Sequence, residues 1–508
     1  MEMSGRRRQL VTLAVLTGIF LAATEATIVA TAMPTIVGRL GGVELYAWVF
    51  TAYFLTSSTT VPIFGKLADL YGRRSVYLAG VGLFMVGSLL CGVAGTMEQL
   101  IAARVIQGIG AGAVQPLAFT IVGDIYSLEE RARIQGIFSA VWGIASVLAP
   151  VLGALIVEHL AWQWIFFLNV PVGLVSAALV WLYLAEPAIV RAAAPIDWSG
   201  AAALIATVAV LQFALLELRD HGPTSPRMLS LAVLFLALLT AFVVIERRAS
   251  SPIIPFALLQ NPIIRASTIG AFALGAVVFS GPTFIPLLVQ GARGGSAADA
   301  GIALIPESIG WTIGAVIAGR MILTLGYRWA ATIGTIGVAA SSLAIAWWPG
   351  AASWLLLVLL GILGVGAGFG FTAFTISVQN AVDWARRGVA TSTVQFARTI
   401  GGTLGVAVLG ALFSAGLASQ LAGVDGVTAN IANQLLDARQ RAAVPADVVA
   451  ASAAAIGSAL GPVLWLTAVF AIVAVIPALR MPRGSARRHT APNIQAEERA
   501  SVEQASVP

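Results

Sequence analysis

The chain has 508 residues, of which 58% are hydrophobic and only 10% are charged, and its formal net charge is +6. Soluble domains carry about 25% charged residues. The composition therefore excludes a soluble enzyme, a secreted disulfide scaffold and a disordered chain, and it predicts a polytopic membrane protein.

The charge distribution excludes two further classes. The 29 basic residues cluster in short connectors between apolar segments, without the aromatic interleaving or continuous basic stripe of a nucleic-acid-binding surface. A phosphate-binding loop needs Gly-Lys followed by Ser or Thr, and the only lysine, Lys66, is followed by Leu67. We therefore expect neither nucleotide nor nucleic acid as a partner. Any uphill transport would draw on an ion gradient instead of a cofactor.

Fourteen apolar segments are long enough to cross a bilayer as helices. Arg6, Arg7 and Arg8 precede the first segment, which is too long for a signal peptide and lacks a cleavage site, so we interpret it as a retained span. The predicted spans are 10–33, 46–65, 76–94, 100–122, 135–157, 165–184, 199–216, 228–245, 266–289, 300–322, 330–348, 353–377, 393–415 and 460–479.

The orientation follows from the positive-inside rule. With a cytoplasmic N-terminus, the inner connectors and tail hold 21 basic residues and the outer connectors hold 6. We therefore expect both termini in the cytoplasm and the spans in the plasma membrane. The Ala-rich stretch Gln420–Ser458 is expected to form short amphipathic helices on the outer face.

Two cytoplasmic connectors repeat each other at an offset of 254 residues. Gly65, Gly72 and Arg74 of the first connector correspond to Gly319, Gly326 and Arg328 of the second. Parallel repeats of this kind are typical of transporters. The predicted domains are a six-helix bundle (1–190), two inserted helices (191–262), a second six-helix bundle (263–480) with an outer loop (416–459), and a disordered cytoplasmic tail (481–508).

Several of these segments also resemble motifs of one family. The connector 65–74 resembles the G-x-L-x-D-x-x-G-R-[RK] signature of the major facilitator superfamily, and 104–108 resembles its R-x-x-Q-G element. Segment 25–34 resembles the first-span element of the fourteen-span drug:proton antiporters, with Glu25 where Asp is usual, and 162–173 resembles the start of their sixth span. Gly143, Pro150 and Gly153 resemble the helix-bend motif of the exporters, although Ala149 precedes the proline where Gly is common.

Two charged residues lie inside spans of the first bundle at comparable depth. Glu25 lies in span 1 and Arg104 in span 4, and charges within spans indicate function because they are expensive to bury. A carboxyl group in a cavity that alternates between two faces is a suitable proton carrier, and a nearby arginine adjusts its proton affinity. The alternative is a static ion pair that braces the two spans. Gln107, three residues after Arg104, is expected to hydrogen-bond substrate or Glu25.

Glu307 follows Pro306 in span 10 and has two interpretations. Proline within a span is tolerated where the helix borders a cavity, and a carboxylate facing that cavity would favour lipophilic cations. Alternatively, Glu307 lies in an outer vestibule and is solvated by water. We predict substrate contacts for Glu25, Gln107 and Glu307.

The resemblance also implies a conformational latch at the cytoplasmic side. In this latch Arg73 pairs with Asp124, and Asp69 interacts with a helix N-terminus across the pseudo-symmetric interface. The predicted latch residues are Gly65, Asp69, Gly72, Arg73, Arg74 and Asp124. In the second connector Leu323 occupies the position that corresponds to Asp69, so the acidic residue is missing there.

These features predict an all-α, fourteen-span secondary antiporter, monomeric, which exports amphipathic and mainly cationic drugs or toxic compounds in exchange for protons by alternating access. The same machinery could instead export an endogenous lipid, siderophore or antibiotic. A protein of a different class, such as a non-transporting membrane scaffold or a membrane enzyme, is the other alternative. We expect no enzymatic activity because no nucleophile–base pair or metal-binding cluster is evident.

Overall fold

The computed structural model describes residues 5–40, 45–185, 197–221, 225–250, 252–295, 297–421 and 446–482, and the described residues form helices and turns without a strand. The helices are α1 (Gly5–Leu40), α2 (Tyr46–Tyr71), α3 (Arg73–Gly92), α4 (Met97–Ile125), α5 (Leu128–His159), α6 (Trp164–Phe167), α7 (Asn169–Tyr183), α8 (Trp198–His221), α9 (Pro226–Arg248), α10 (Pro262–Val278), α11 (Gly281–Pro286), α12 (Ala297–Leu325), α13 (Tyr327–Trp347), α14 (Ser353–Asn380), α15 (Arg387–Leu421) and α16 (Ala446–Leu479).

The predicted all-helical membrane fold is confirmed. Each of the fourteen predicted spans falls on one long helix or, for spans 6 and 9, on a run of consecutive shorter helices. Within the described residues, eleven helical segments are long and apolar enough to cross a membrane, and two further apolar segments, Gly136–Ala145 and Trp198–Ala214, are shorter.

Helix α2 is less apolar than those eleven segments because it carries six serine and threonine residues. Their hydroxyls are satisfied inside the helix itself. Thr56 Oγ1 donates to Ala52 O at 2.8 Å, and Thr60 Oγ1 donates to Thr56 O at 2.7 Å. A span can carry such residues because back-bonding to the preceding turn leaves no unsatisfied hydroxyl.

The chain forms two compact units. The first comprises Met1–Tyr126, Ile137–Leu258 and Trp384–Ile400, and the second comprises Ser127–Gly136, Leu259–Asp383 and Gly401–Pro508. In the first unit α8 packs on α2, where Leu204 and Val208 share a core cluster with Ile63.

The second unit has its own apolar core, formed mainly by α12, α14 and α16. It includes Ala303, Leu360 and Leu464. Each unit thus buries an apolar core of its own.

The two repeated connectors adopt the same backbone conformation. Gly72 between α2 and α3 has φ 96°, and Gly326 between α12 and α13 has φ 89°. In each case the glycine N–H closes the preceding helix, on Ala68 O and on Ile322 O respectively, at 3.1 Å. Left-handed φ values of this size favour glycine, so the 254-residue repeat extends from sequence to geometry.

The glycine runs of α4 and α14 make corresponding contacts within their own units. A Cβ on Gly110 would collide with the backbone of α3 at Gly80, and a Cβ on Gly366 would collide with the backbone of α13 at Gly334. Gly366 of α14 follows Gly110 of α4 by 256 residues, whereas Gly334 of α13 follows Gly80 of α3 by 254. The glycines therefore allow close helix packing, and the second copy is two residues longer before α14.

One predicted span contains a break that was not predicted, and one expectation about a connector was wrong. Span 9 is interrupted: α10 ends at Val278, α11 begins at Gly281, and a π-helical segment covers Leu287–Ala292. Pro282 and Pro286 explain the break, because proline lacks the N–H that continues a helix.

The wrong expectation concerns Gln420–Ser458, which was predicted to form short amphipathic helices. The preceding helix α15 continues to Leu421, and 446–458 belongs to the long helix α16 instead of short amphipathic helices. The alanines of this stretch are strong helix formers and extend the apolar helix outward. Residues 422–445 and the predicted tail beyond Pro482 lie outside the described residues.

Candidate functional site

The two charges predicted inside the first bundle lie in direct contact. Arg104 Nη1 of α4 donates to Glu25 Oε1 of α1, and the two side chains are 1% and 0% exposed. A buried ion pair is costly unless the remaining donors and acceptors are also satisfied. The surroundings of this pair meet that requirement.

Arg104 is held by three further groups from the first unit. Its Nε donates to Val49 O at 3.2 Å, its Nη1 also donates to Gln107 Oε1 at 2.7 Å, and its guanidinium lies 4.2 Å from the ring centroid of Tyr53. Cation–π contact adds attraction where water is excluded. The guanidinium is thus fixed in position by α2 as well as by α4.

The second oxygen of Glu25 has a different partner. Asn169 at the start of α7 donates from Nδ2 to Glu25 Oε2 at 2.5 Å and to Ser88 Oγ of α3 at 2.9 Å. Ser88 Oγ also accepts from Gln107 Nε2 at 2.7 Å. All five side chains of this polar cluster, Glu25, Ser88, Arg104, Gln107 and Asn169, are buried.

The expected hydrogen bond between Gln107 and Glu25 is absent from the described contacts. Gln107 instead uses its oxygen for Arg104 and its nitrogen for Ser88. The physical reason is that Arg104, three residues earlier on the same helix face, lies between Gln107 and the carboxylate. Gln107 therefore reaches Glu25 only through its neighbours.

Glu307 lies in the second unit, far along the chain from the cluster around Glu25. Its side chain is 6% exposed, and within the described residues it makes no hydrogen bond or ion pair. The carboxylate faces the break between α10 and α11, because a Cβ on Gly281 would lie 3.0 Å from Glu307 Oε2. This burial does not fit the second interpretation, in which Glu307 lies in an outer vestibule and is solvated by water.

The predicted pair at the C-terminal end of α2 is present. Arg73 Nε lies 3.1 Å from Asp124 Oδ2 at the end of α4, and Arg387 Nη1 at the start of α15 lies 2.7 Å from Asp124 Oδ1. Arg73 also donates to Trp384 O at 2.8 Å and lies over the Trp384 ring. We call the contacts among Asp69, Arg73, Asp124, Trp384 and Arg387 the first junction.

Asp69 binds the N-terminus of α15, as the sequence predicted for a helix N-terminus. Its carboxylate accepts from Gly388 N at 3.0 Å and from Val389 N at 2.8 Å, and it lies 2.7 Å from Arg73 Nη2. Asp69 follows the apolar span 46–65. Burial raises its pKa to about 6, although Arg73 and the two backbone N–H groups act in the opposite direction.

Three other predicted latch residues have simpler surroundings. Gly65 lets α2 approach α15, since a Cβ there would collide with the Ser392 side chain. Gly72 supplies the left-handed turn described above. Arg74 is half-buried at the start of α3, next to Arg73.

The second repeat contains a counterpart of the first junction in which the described hydrogen bonds join an arginine, an amide and a phenol. Arg131 Nη1 near the start of α5 donates to Asn380 Oδ1 at the end of α14 over 2.5 Å, and Asn380 Nδ2 donates to Tyr327 OH over 2.6 Å. Arg131 lies 256 residues before Arg387, and Asn380 lies 256 residues after Asp124. Tyr327 lies 254 residues after Arg73. We call these three residues the second junction.

The predicted helix-bend motif lies on α5. Gly143 is half-buried and Gly153 is buried on this helix, whereas the side chain of Pro150 lies outside the described residues. The motif does not contact the cluster around Glu25 through any described hydrogen bond.

Sequence reasoning missed Asn169, Ser88 and Tyr53 as members of the polar cluster. Asn169 carried a usable signal, since it is an amide at the start of an apolar span, where a buried polar group needs partners. Ser88 and Tyr53 carried none, because serine and tyrosine occur throughout these spans.

Comparisons with known proteins agree with this architecture. The sequence profile described as the Major Facilitator Superfamily matches residues 15–406. The chain is 39% identical to Multidrug resistance protein 3 of Bacillus subtilis over 402 residues, which covers 79% of this chain and 78% of that protein. It is 36% identical to Multidrug transporter protein MdtP of Bacillus subtilis over 414 residues, covering 80% and 76%.

Solved structures show the same fold at low sequence identity. The human organic anion transporter MFSD10 (TETRAN) superposes with a TM-score of 0.62 at 16% identity, covering 91% of this chain and 99% of that chain. The proton:xylose symporter XylE gives a TM-score of 0.61 at 11% identity, covering 95% and 98%.

Proposed function

The chain belongs to the Major Facilitator Superfamily, and we propose that it is a proton-coupled antiporter that exports amphipathic, mainly cationic compounds by alternating access. The names of two Bacillus subtilis relatives refer to multidrug resistance and multidrug transport, which supports drug efflux. Proton coupling is proposed from the polar cluster, since the chain has no phosphate-binding loop.

The buried contact between Glu25 and Arg104 carries the proposal. An ionised carboxylate that is 0% exposed depends on its partner for stability. When Glu25 takes up a proton, the pair loses its net attraction and Arg104 is left with a buried charge that favours a different arrangement. Proton binding and a conformational change of α1 against α4 are thereby linked.

Glu307 supports the proposed preference for cations. A carboxylate without a described partner, buried beside a helix break, is an attractive site for a positively charged group of a substrate. Phe284 and Ile285 on α11, a few residues after the break, are also buried and are apolar. This combination suits compounds with one charge and a large apolar surface.

The first junction is proposed as the latch that stabilises one conformation of the transport cycle. The 21 basic residues of the inner connectors support a cytoplasmic location for this junction and for both termini. We also propose that the protein functions as a monomer and that its membrane is the cytoplasmic membrane of a bacterium.

The decisive experiment measures substrate-induced proton release from the purified protein and efflux from vesicles along an imposed pH gradient. Glu25→Gln keeps the shape and removes the charge, so it should abolish both signals while the binding of neutral substrates survives. Glu25→Asp should retain activity, because Asp also carries a titratable carboxyl group. Normal proton release and pumping by Glu25→Gln would show that Glu25 is structural and would move the search to Glu307.

A further inference from the structure

The two oxygens of Glu25 are held by partners of different chemical capability. Oε1 accepts from Arg104, whose guanidinium has donors but no acceptor. Oε2 accepts from Asn169, whose amide carries two N–H donors and a carbonyl acceptor. In the arrangement observed, both oxygens accept hydrogen bonds, which is the state of an ionised carboxylate.

A proton can be accommodated at only one of these oxygens. A proton on Oε1 would face a guanidinium that cannot accept it. A proton on Oε2 would face the Asn169 side chain, which can rotate by about 180° and present its carbonyl oxygen instead of its nitrogen. The bond from Nδ2 to Oε2 then breaks and a bond from the new O–H to Asn169 Oδ1 forms.

We propose that Asn169 is a positioning residue that changes from donor to acceptor when Glu25 is protonated, so that the coupling proton is held on Oε2. This inference rests on the proposed role of Glu25 in coupling and adds a residue for which sequence reasoning predicted no role. Without an acceptor at this place, the protonated Glu25 would hold a buried O–H with no partner, which proteins strongly disfavour.

The change at Asn169 reaches Arg104 by a second path. Asn169 Nδ2 also donates to Ser88 Oγ at 2.9 Å, and Ser88 Oγ accepts from Gln107 Nε2 at 2.7 Å. Gln107 Oε1 in turn accepts from Arg104. Rotation of the Asn169 amide removes one donor from Ser88, so the hydrogen bonds that fix Arg104 respond to the same proton.

The titratable and charged groups around Glu25 come from the neighbouring helices. Arg104 lies on α4, Tyr53 on α2 and Cys91 on α3, and the latter two interact electrostatically with Glu25. Among the described helices, α4, α6 and α7 make the most extensive contacts with α1, and α5 contributes Ala149 to an apolar cluster with α1. Of these, α6 has no titratable side chain and α7 has only Tyr183 at its far end. Asn169 is thus the uncharged partner through which α7 responds to Glu25.

Infrared difference spectroscopy of the purified full chain tests the proposal. The carbonyl band of the protonated Glu25 side chain is identified as the carboxylic-acid band that is lost in Glu25→Gln. In Asn169→Leu this band should move to higher frequency, because the O–H has lost its acceptor, and efflux should fall about tenfold or more. Asn169→Gln keeps an amide and should retain a band close to the wild-type position. Asn169→Ala, which imposes less steric strain, should reproduce the shift.

Ser176→Ala is the matched control. Ser176 also lies on α7 and donates to Ala14 O of α1 at 2.7 Å, yet it does not contact Glu25, so its replacement should leave the band unmoved. An unshifted band in Asn169→Leu and Asn169→Ala, or an equal shift in Ser176→Ala, would overturn the proposal. So would the lack of any carboxylic band that Glu25→Gln removes. Normal pumping by Glu25→Gln, together with a shifted band in Asn169→Leu, would refute the coupling function and leave the role of Asn169 intact.

Discussion

Replacing Asn380 by Asp is expected to convert the second junction into an ion pair. Arg131 Nη1 already lies 2.5 Å from Asn380 Oδ1, so the variant carboxylate keeps this geometry. The Tyr327 hydroxyl, which now accepts from Asn380 Nδ2, can turn and donate to the second oxygen. Every polar group of the junction therefore stays satisfied after the substitution.

The size of the effect follows from the change in acceptor. The Arg131 guanidinium is already charged, so the substitution adds the attraction of a second charge to an existing charge-assisted hydrogen bond. Two opposite unit charges about 4 Å apart attract by about 4 kcal/mol at an effective dielectric constant of about 20, and the desolvation of the new carboxylate offsets most of this gain. The side chain of Arg131 is buried, so solvent screens the new attraction little. A gain of about 1 kcal/mol favours the conformation with an intact second junction roughly fivefold. In the proposed alternating-access cycle we expect the second junction to open in the same way as the first, so turnover should fall by a similar factor.

Efflux from proteoliposomes under a fixed pH gradient measures this change. Asn380→Asp should slow efflux while substrate binding remains at the wild-type level. Combining it with Arg131→Gln removes the positive partner and should restore turnover, which separates the ion pair from a general disturbance of α14. Wild-type turnover in Asn380→Asp, or slow turnover that Arg131→Gln does not relieve, would refute the reasoning.

Three further outcomes can be measured independently. Burial raises the pKa of Asp69 to about 6, against about 4 in water, so the folded protein takes up a proton at Asp69 between these pH values. The contribution of Asp69 to stability is therefore fully present below about pH 4 and is lost as the pH rises through 6. The melting temperature of wild type relative to Asp69→Asn should therefore fall over this range, and a constant difference would contradict it. Gly364→Ala should lower the melting temperature, since its Cβ collides with the backbone of Glu307 and overpacking costs about 1–3 kcal/mol; Gly361→Ala, whose Cβ would lie 3.6 Å from Pro306 Cβ, is the control and should be neutral or stabilising. Glu307→Gln should weaken cationic substrates about tenfold in a binding assay and spare neutral ones, whereas equal loss for both would exclude a charge-specific role.

The sequence predicted best those features that depend on local pattern. The spans follow from length and hydropathy, and the contact of Glu25 with Arg104 was expected because two opposite charges at similar depth in an apolar medium need each other. Within the first junction, the contacts of Arg73 with Asp124 and of Asp69 with a helix N-terminus were predicted from the resemblance of a short motif, whereas the participation of Trp384 and Arg387 was not. In each of these cases a residue type and its position along one helix carried enough information.

The features that were missed depend on how distant helices pack. Asn169 and Glu25 are 144 positions apart, and nothing in either segment shows which face of α7 meets α1. The interrupted ninth span was missed because its apolar composition hides the effect of Pro282 and Pro286 on the backbone. The second junction was not predicted because Asn380 and Tyr327 are neutral, whereas Asp124 and Arg73 at the corresponding positions of the first junction are charged. A search for pairs of charged residues does not detect an amide or a phenol.

The change of offset from 254 to 256 residues shows where a duplicated bundle can accept added chain length. The glycine contacts of α14 reproduce those of α4 in spite of the two additional residues. One of these residues lengthens the end of α13 relative to α3, and the other lies in the turn between α13 and α14. Gly350 in this turn has open space around it. A short epitope or a labelling peptide placed after Gly350 should leave the helix register unchanged, which makes this turn a suitable attachment point for a reporter of transport.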